Sequence, residues 1–255
     1  MKDLFLMVCQ FMRKQGHSPI LKSMVIMLRT VLILLDEPEE ALGHYDDVWK
    51  NIQEHRIPPR QAMTLYFQDL YIAVMLRREN IRGICEQFIA AKSMDSSTIM
   101  FSDLVKEFIV GLASFQIYRE NLQQNQQQLQ LWMERGRKCL EQMNVWAEPG
   151  AMINFGHKIL LLQAEKSYCR GDIVAAKESY KNAVAAAECN AFINDAALAY
   201  ELAGRFYEEI GDFFLIGMST IIPGVSNPRQ MLFFYLMSTC AKVKTANELH
   251  LKVQP

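Results

Sequence analysis

The chain of 255 residues has little glycine (12) and little proline (8). Inside a helix these cost about 1 and about 3 kcal/mol relative to alanine, so their scarcity favours long helices. Charge bias is missing as well: 27 basic against 28 acidic residues leave a formal net charge of -1. No stretch is basic enough to form an electrostatic footprint for nucleic acid, and a strongly charged small substrate would find little steering. The six cysteines, at 9, 85, 139, 169, 189 and 240, form no C-x-x-C pair. They read as buried free thiols in a reducing compartment.

Long hydrophobic runs are also absent. Leu21–Leu35 is apolar but carries Lys22 and Arg29, and it falls short of the about 20 apolar residues a spanning helix needs. The N-terminal run MKDLFLMVCQF is interrupted by Asp3 and lacks a small-residue cleavage site. A cytoplasmic protein without a membrane span is expected.

Catalytic signatures are lacking too. The sequence has no G-x-x-x-x-G-K-[ST] loop, no G-x-G-x-x-G after a strand, no H-E-x-x-H and no G-x-S-x-G, and no kinase H-R-D or D-F-G set. The five histidines (His17, His44, His55, His157, His250) do not pair at ligand spacing. Glu37–Glu40 and Asp46-Asp47 read as solvated acidic faces. His157 beside Lys158 invites a reading as general base or phospho-acceptor. A phospho-acceptor histidine normally stands in a dimerising helix next to an acid, so a structural role is expected. No catalytic residue, cofactor or metal is assigned.

What is present is helical pattern. Half the residues (51%) are hydrophobic, and apolar stripes recur at helical spacing. Helices are expected over 1–15 and 19–35, stopped by Asp36-Glu37-Pro38 because proline cannot continue the ladder. Residues 39–53 form a polar helix or loop. Helices follow over 61–78, to about Ala91, and over 101–118, with Asp95, Ser96 or Ser97 as candidate caps. A glutamine-rich insert, 121–130, separates N-terminal hairpins (1–120) from a C-terminal region (131–255), whose first helix is placed at Leu131–Val145.

The most specific pattern lies in that C-terminal region. Gly171-Asp172 and Gly211-Asp212 form two turns 40 residues apart, each ending an apolar-striped helix. Around the first stand Ala164, Ala176, Tyr180 and Ala183; around the second, Tyr200, Ala203-Gly204 and Tyr207. Small residues let helices approach closely, and aromatics one turn away fill the space between hairpins. That is the logic of the tetratricopeptide repeat. A weaker echo runs through Tyr71, Ile72, Met75, Glu79-Asn80, Ile84, Phe88 and Ala91. The fold expected is an all-α array of antiparallel hairpins, a tetratricopeptide-like α-solenoid. It turns irregular after 212, where Pro223-Gly224 and Ser226-Asn227-Pro228 interrupt the next helix.

The run Trp146-Ala147-Glu148-Pro149, Asn154-Phe155-Gly156-His157-Lys158, Ala164-Glu165, Gly171-Asp172, Ala176, Tyr180, Ala183, Phe192, Glu201-Leu202-Ala203 and Phe206-Tyr207 resembles a particular helical region. That region follows the AAA-type ATPase domain in very large signalling proteins, which begin with a serine/threonine-kinase-like domain and commonly end in GAF and histidine-kinase domains. Glu37-Pro38 with Leu42-Gly43, and the helix pair 61–91, resemble an earlier part of the same array. The resemblance implies a non-catalytic scaffold whose partner is a protein, a peptide or a neighbouring domain. The kinase and ATPase motifs of such proteins do not occur in these residues. A free-standing adaptor of tetratricopeptide type is the alternative reading, and an enzyme whose active site escapes motif reading is a third.

Overall fold

A computed structural model describes residues 2–16, 18–54, 57–93, 101–123, 125–147 and 152–212. Among these the chain is all-helical: ten α-helices, one short 3-10 segment and no strand. The interrupted segment after 212, the candidate caps at 95–97, and His17, His55 and His250 lie outside the described residues. The chain divides into two compact units, Met1–Cys139 and Leu140–Pro255.

The first unit begins with α1 (Lys2–Lys14) packed on α2 (Ser18–Leu34). Helix α2 ends in a Schellman cap: Asp36 takes a left-handed φ of 57°, its N–H donates to Ile33 O at 3.2 Å, and Glu37 N–H donates to Leu32 O at 2.9 Å. Pro38 follows. The 3-10 segment (Glu39–Tyr45) and α3 (Asp46–Glu54) return against α2. Here the polar stretch 39–53 resolves into two short helical pieces, because Leu42, Tyr45, Trp49 and Ile52 bury their side chains on Val25, Ile26, Leu28 and Leu32. Arg29 lies 4.6 Å over the Trp49 ring and pairs with Asp69 at 2.9 Å.

Helix α4 (Pro59–Met75) starts with proline, where a missing N–H costs nothing. It packs on α2, on α5 (Ile81–Ser93) and on α6 (Phe101–Glu120). Phe67 meets Phe88 at 5.6 Å between ring centroids. Helix α7 (Gln126–Ala147) starts at Gln126 rather than Leu131. Glutamine is a good helix former without an apolar signature, and Asn125 caps the helix by accepting from Gln127 N–H at 2.9 Å. Within the first unit α7 crosses α6 closely: a Cβ on Gly136 would stand 2.6 Å from the buried Phe115 ring.

In the second unit, α8 (Met152–Cys169) and α10 (Ile193–Glu209) both pack on α9 (Ile173–Cys189), and α10 also touches α8. All three helices end in the same cap. Gly171 (φ 73°), Ala191 (φ 57°) and Gly211 (φ 71°) hold the left-handed position. The residue after each donates back to a carbonyl five before it: Asp172 to Ser167, Phe192 to Ala187, Asp212 to Tyr207. The 40-residue interval between the Gly-Asp turns thus contains a third turn halfway, with alanine where the others have glycine.

Candidate functional site

The residues singled out in the sequence converge on the α8–α9–α10 interfaces. Ala164, Ala176 and Ala183 are fully buried, and Tyr180 is buried between helices. The Tyr180 hydroxyl donates to Glu165 Oε1 at 2.5 Å, which brings an otherwise costly carboxylate into the interior. Phe206, fully buried on α10, meets the rings of Tyr168 at 5.0 Å and Tyr180 at 5.1 Å. Ala203 and Tyr207 are buried beside it, Gly204 is half-buried, and the Tyr200 hydroxyl donates to Glu188 at 2.8 Å. These side chains make a packed interface.

The two aspartates of the Gly-Asp turns do different work. Asp172 caps α9 by accepting from Ala175 N–H at 3.1 Å. Asp212 accepts from Lys177 Nζ at 2.6 Å, and Lys177 also lies 6.0 Å over the Tyr207 ring. Burial pushes the Tyr207 phenol up, and the Lys177 ammonium pulls the other way.

A polar cluster brings His157, Lys158 and Phe192, all named in the sequence, to Asp195, which was not. His157 is almost fully buried on α8, and its Nε2 stands 2.8 Å from Asp195 Oδ2 on α10. Lys158 Nζ pairs with the same carboxylate and lies 3.0 Å from His157 Nε2. Phe192 stacks on the imidazole at 4.4 Å, the rings inclined by 22°. In the twenty-residue frame of the caps, Phe192 takes the place of Asp172 and Asp212, and it contributes a ring instead of a carboxylate. Burial pushes the Asp195 carboxyl up, but the hydrogen bond from His157 and the Lys158 charge outweigh it and hold the group below its usual range. His157 Nδ1 is buried with no hydrogen-bond partner among the described residues. Asn154, one turn before, is exposed.

With His157 and Asp195 joined across α8 and α10, the cluster ties one helix to the start of another. The acid beside the histidine escaped the sequence because it comes 38 residues later on a different helix. Only the recurrence of hairpins at about that interval hints at it.

Elsewhere, Cys9, Cys85 and Cys139 are buried free thiols, Cys169 is half-buried and Cys189 is exposed. Burial pushes Cys85 up to about 12 and raises Cys139 as well, so both stay protonated at neutral pH. Among the described residues, no three His, Cys, Asp or Glu side chains are grouped to hold a metal ion. No described helix is long and apolar enough to cross a membrane. No protein-family model matches the chain, and neither a curated protein nor a solved structure is significantly similar to it.

Proposed function

We propose that this chain is a non-catalytic, tetratricopeptide-type interaction region of a signal-transduction ATPase/kinase. The observation that carries this reading is the repeated unit of the second half. One cap geometry recurs at positions 171, 191 and 211, and the small and aromatic residues between caps are buried against the neighbouring helices. Repetition of this kind builds surface: each helix pair covers its neighbour, and the outward faces form an extended platform for a partner. The polar groups of the interior support the same reading. Tyr180 bonds to Glu165 across α9 and α8, and His157 to Asp195 across α8 and α10, which fixes helix spacing. The partner is a protein or peptide segment, or a domain of the same polypeptide, and the setting is the cytoplasm.

Sequencing the mature transcript that encodes the chain tests this. The expected result is an open frame that runs on from this region into an ATPase phosphate-loop motif upstream, or into a GAF domain downstream. A frame closed by stop codons and regulatory sequence on both sides would refute membership in such a protein. It would leave the free-standing adaptor.

A further inference from the structure

A second feature of the first unit has the chemistry of a docking site. Helix α1 is apolar on two faces. One face packs on α2 through Cys9 with Phe5 and Met12. The other exposes Leu4 (57%), Met7 (61%) and Phe11 (56%). Positions 4, 7 and 11 fall on one side of a helix, giving a stripe about 10 Å long at 1.5 Å rise per residue. Exposed apolar side chains that share one helix face, unlike ones scattered singly, are candidates for contact with a partner.

Beside the stripe lies an open groove of about 750 Å³ between α1 and the 3-10 segment. Leu6, Met7 and the buried Tyr45 give it an apolar lining, and the Tyr45 hydroxyl donates to Leu6 O at 3.4 Å. A kink at Gly43 (φ 52°, ψ −111°) turns the chain so that His44 and Tyr45 reach the groove; a side chain at that φ would be strained. The polar part of the lining is basic: Arg13, Lys14 and His44, with Gln10 and no carboxylate. Arg13 is held in place by the His44 carbonyl and by Asp47 at 2.7 Å, and lies 5.8 Å over the Tyr45 ring. The side chains of Lys14 and His44 enter no ion pair among the described residues.

We propose that this groove docks an acidic amphipathic helix from the partner. The inference rests on the interaction reading above and names the surface and the partner's chemistry. An apolar trough beside a helical stripe accepts apolar anchors at i, i+3/i+4 and i+7. Carboxylates on the flank of the incoming helix meet the Lys14 ammonium at the end of the lining, which sets its register and its salt dependence.

Fluorescence anisotropy with the full chain tests it. The probe is a labelled synthetic helix of about 15 residues, long enough to become helical once bound, with leucine at the anchor positions and glutamate on both flanks. A twin carries lysine in place of glutamate. The acidic helix is expected to bind saturably, and Met7→Asp or Lys14→Glu to weaken it at least about tenfold. Val174→Asp, at an 80% exposed site on α9, should leave the affinity unchanged, as it controls for surface charge alone. Equal binding of the lysine twin, or indifference to the α1 variants, overturns the proposal. So does sedimentation of the chain with phosphatidylserine vesicles that Met7→Asp abolishes, or a dimer that Met7→Asp dissociates. Absence of peptide binding alongside an ATPase frame in the transcript removes the groove and leaves the broader reading standing.

Discussion

Ala191 holds a left-handed φ of 57° with its side chain exposed, and the return is the backbone cap alone, Ala191 N–H to Glu188 O and Phe192 N–H to Ala187 O. A non-glycine residue there costs about 1–2 kcal/mol, and glycine returns part of that through its freer unfolded chain. Ala191→Gly is expected to stabilise the protein by about 0.5–1 kcal/mol, read as a higher urea midpoint at unchanged slope. An unchanged or lower midpoint would show that the cap is not formed in solution. The same residue explains what was hard to see in the sequence. Gly171 and Gly211 announce their turns because glycine is the usual residue at the cap, whereas alanine is a helix former and hides the turn between them.

Asp195 yields a second test at this scale. Its carboxyl is held below the ordinary 3.8. An acid of this kind stabilises the fold fully above its unfolded value, and that contribution is lost as pH falls through the lower folded value. Asp195→Asn is therefore expected to be less stable than wild type at neutral pH. The gap should narrow only below about pH 4, as followed by urea unfolding at several pH values. A gap that widened in acid would contradict the His157–Asp195–Lys158 arrangement. His157 and Lys158 were visible as adjacent letters; Asp195 was not, since pairing across α8 and α10 depends on how the helices pack.

At the scale of elements, helix identity was largely legible. Apolar stripes and breakers placed most of the helices, and proline marks the first turns of α2 and α4. What escaped was polar: the start of α7 in a glutamine run with no stripe, and the two helical pieces between 39 and 54, whose few apolar residues suffice to bury them. Close helix contacts were half legible. The alanines of α8 and α9 were recognised as a packing seam, whereas Gly136 carried no such signal, although α7 and α6 meet there. Adding a methyl at Gly136 gains about 1 kcal/mol of helix propensity but drives into the fully buried Phe115 ring. Overpacking costs about 1–3 kcal/mol. Gly136→Ala should therefore destabilise by about 1 kcal/mol or slightly more, measured by chemical denaturation. Stabilisation would mean that α6 and α7 stand further apart.

For the whole molecule, composition excluded more than it identified. It pointed to an all-helical chain without a membrane span, and the described helices agree at that level. The packed helical interface over 154–212 was readable because small residues, aromatics and glycine caps coincide there. The α1 groove was not readable, since α1 looks like any amphipathic helix until its second apolar face proves to be uncovered. We propose that a preformed helical surface that binds a partner is what these features serve. Hydrogen–deuterium exchange of the full chain with and without the acidic helical peptide tests it most directly. Slower exchange confined to α1 and the 3-10 segment is predicted, with α8, α9 and α10 unchanged and the peptide recovered at its original mass. Slowing in α8–α10 instead, no slowing anywhere, or a chemically altered peptide would contradict it.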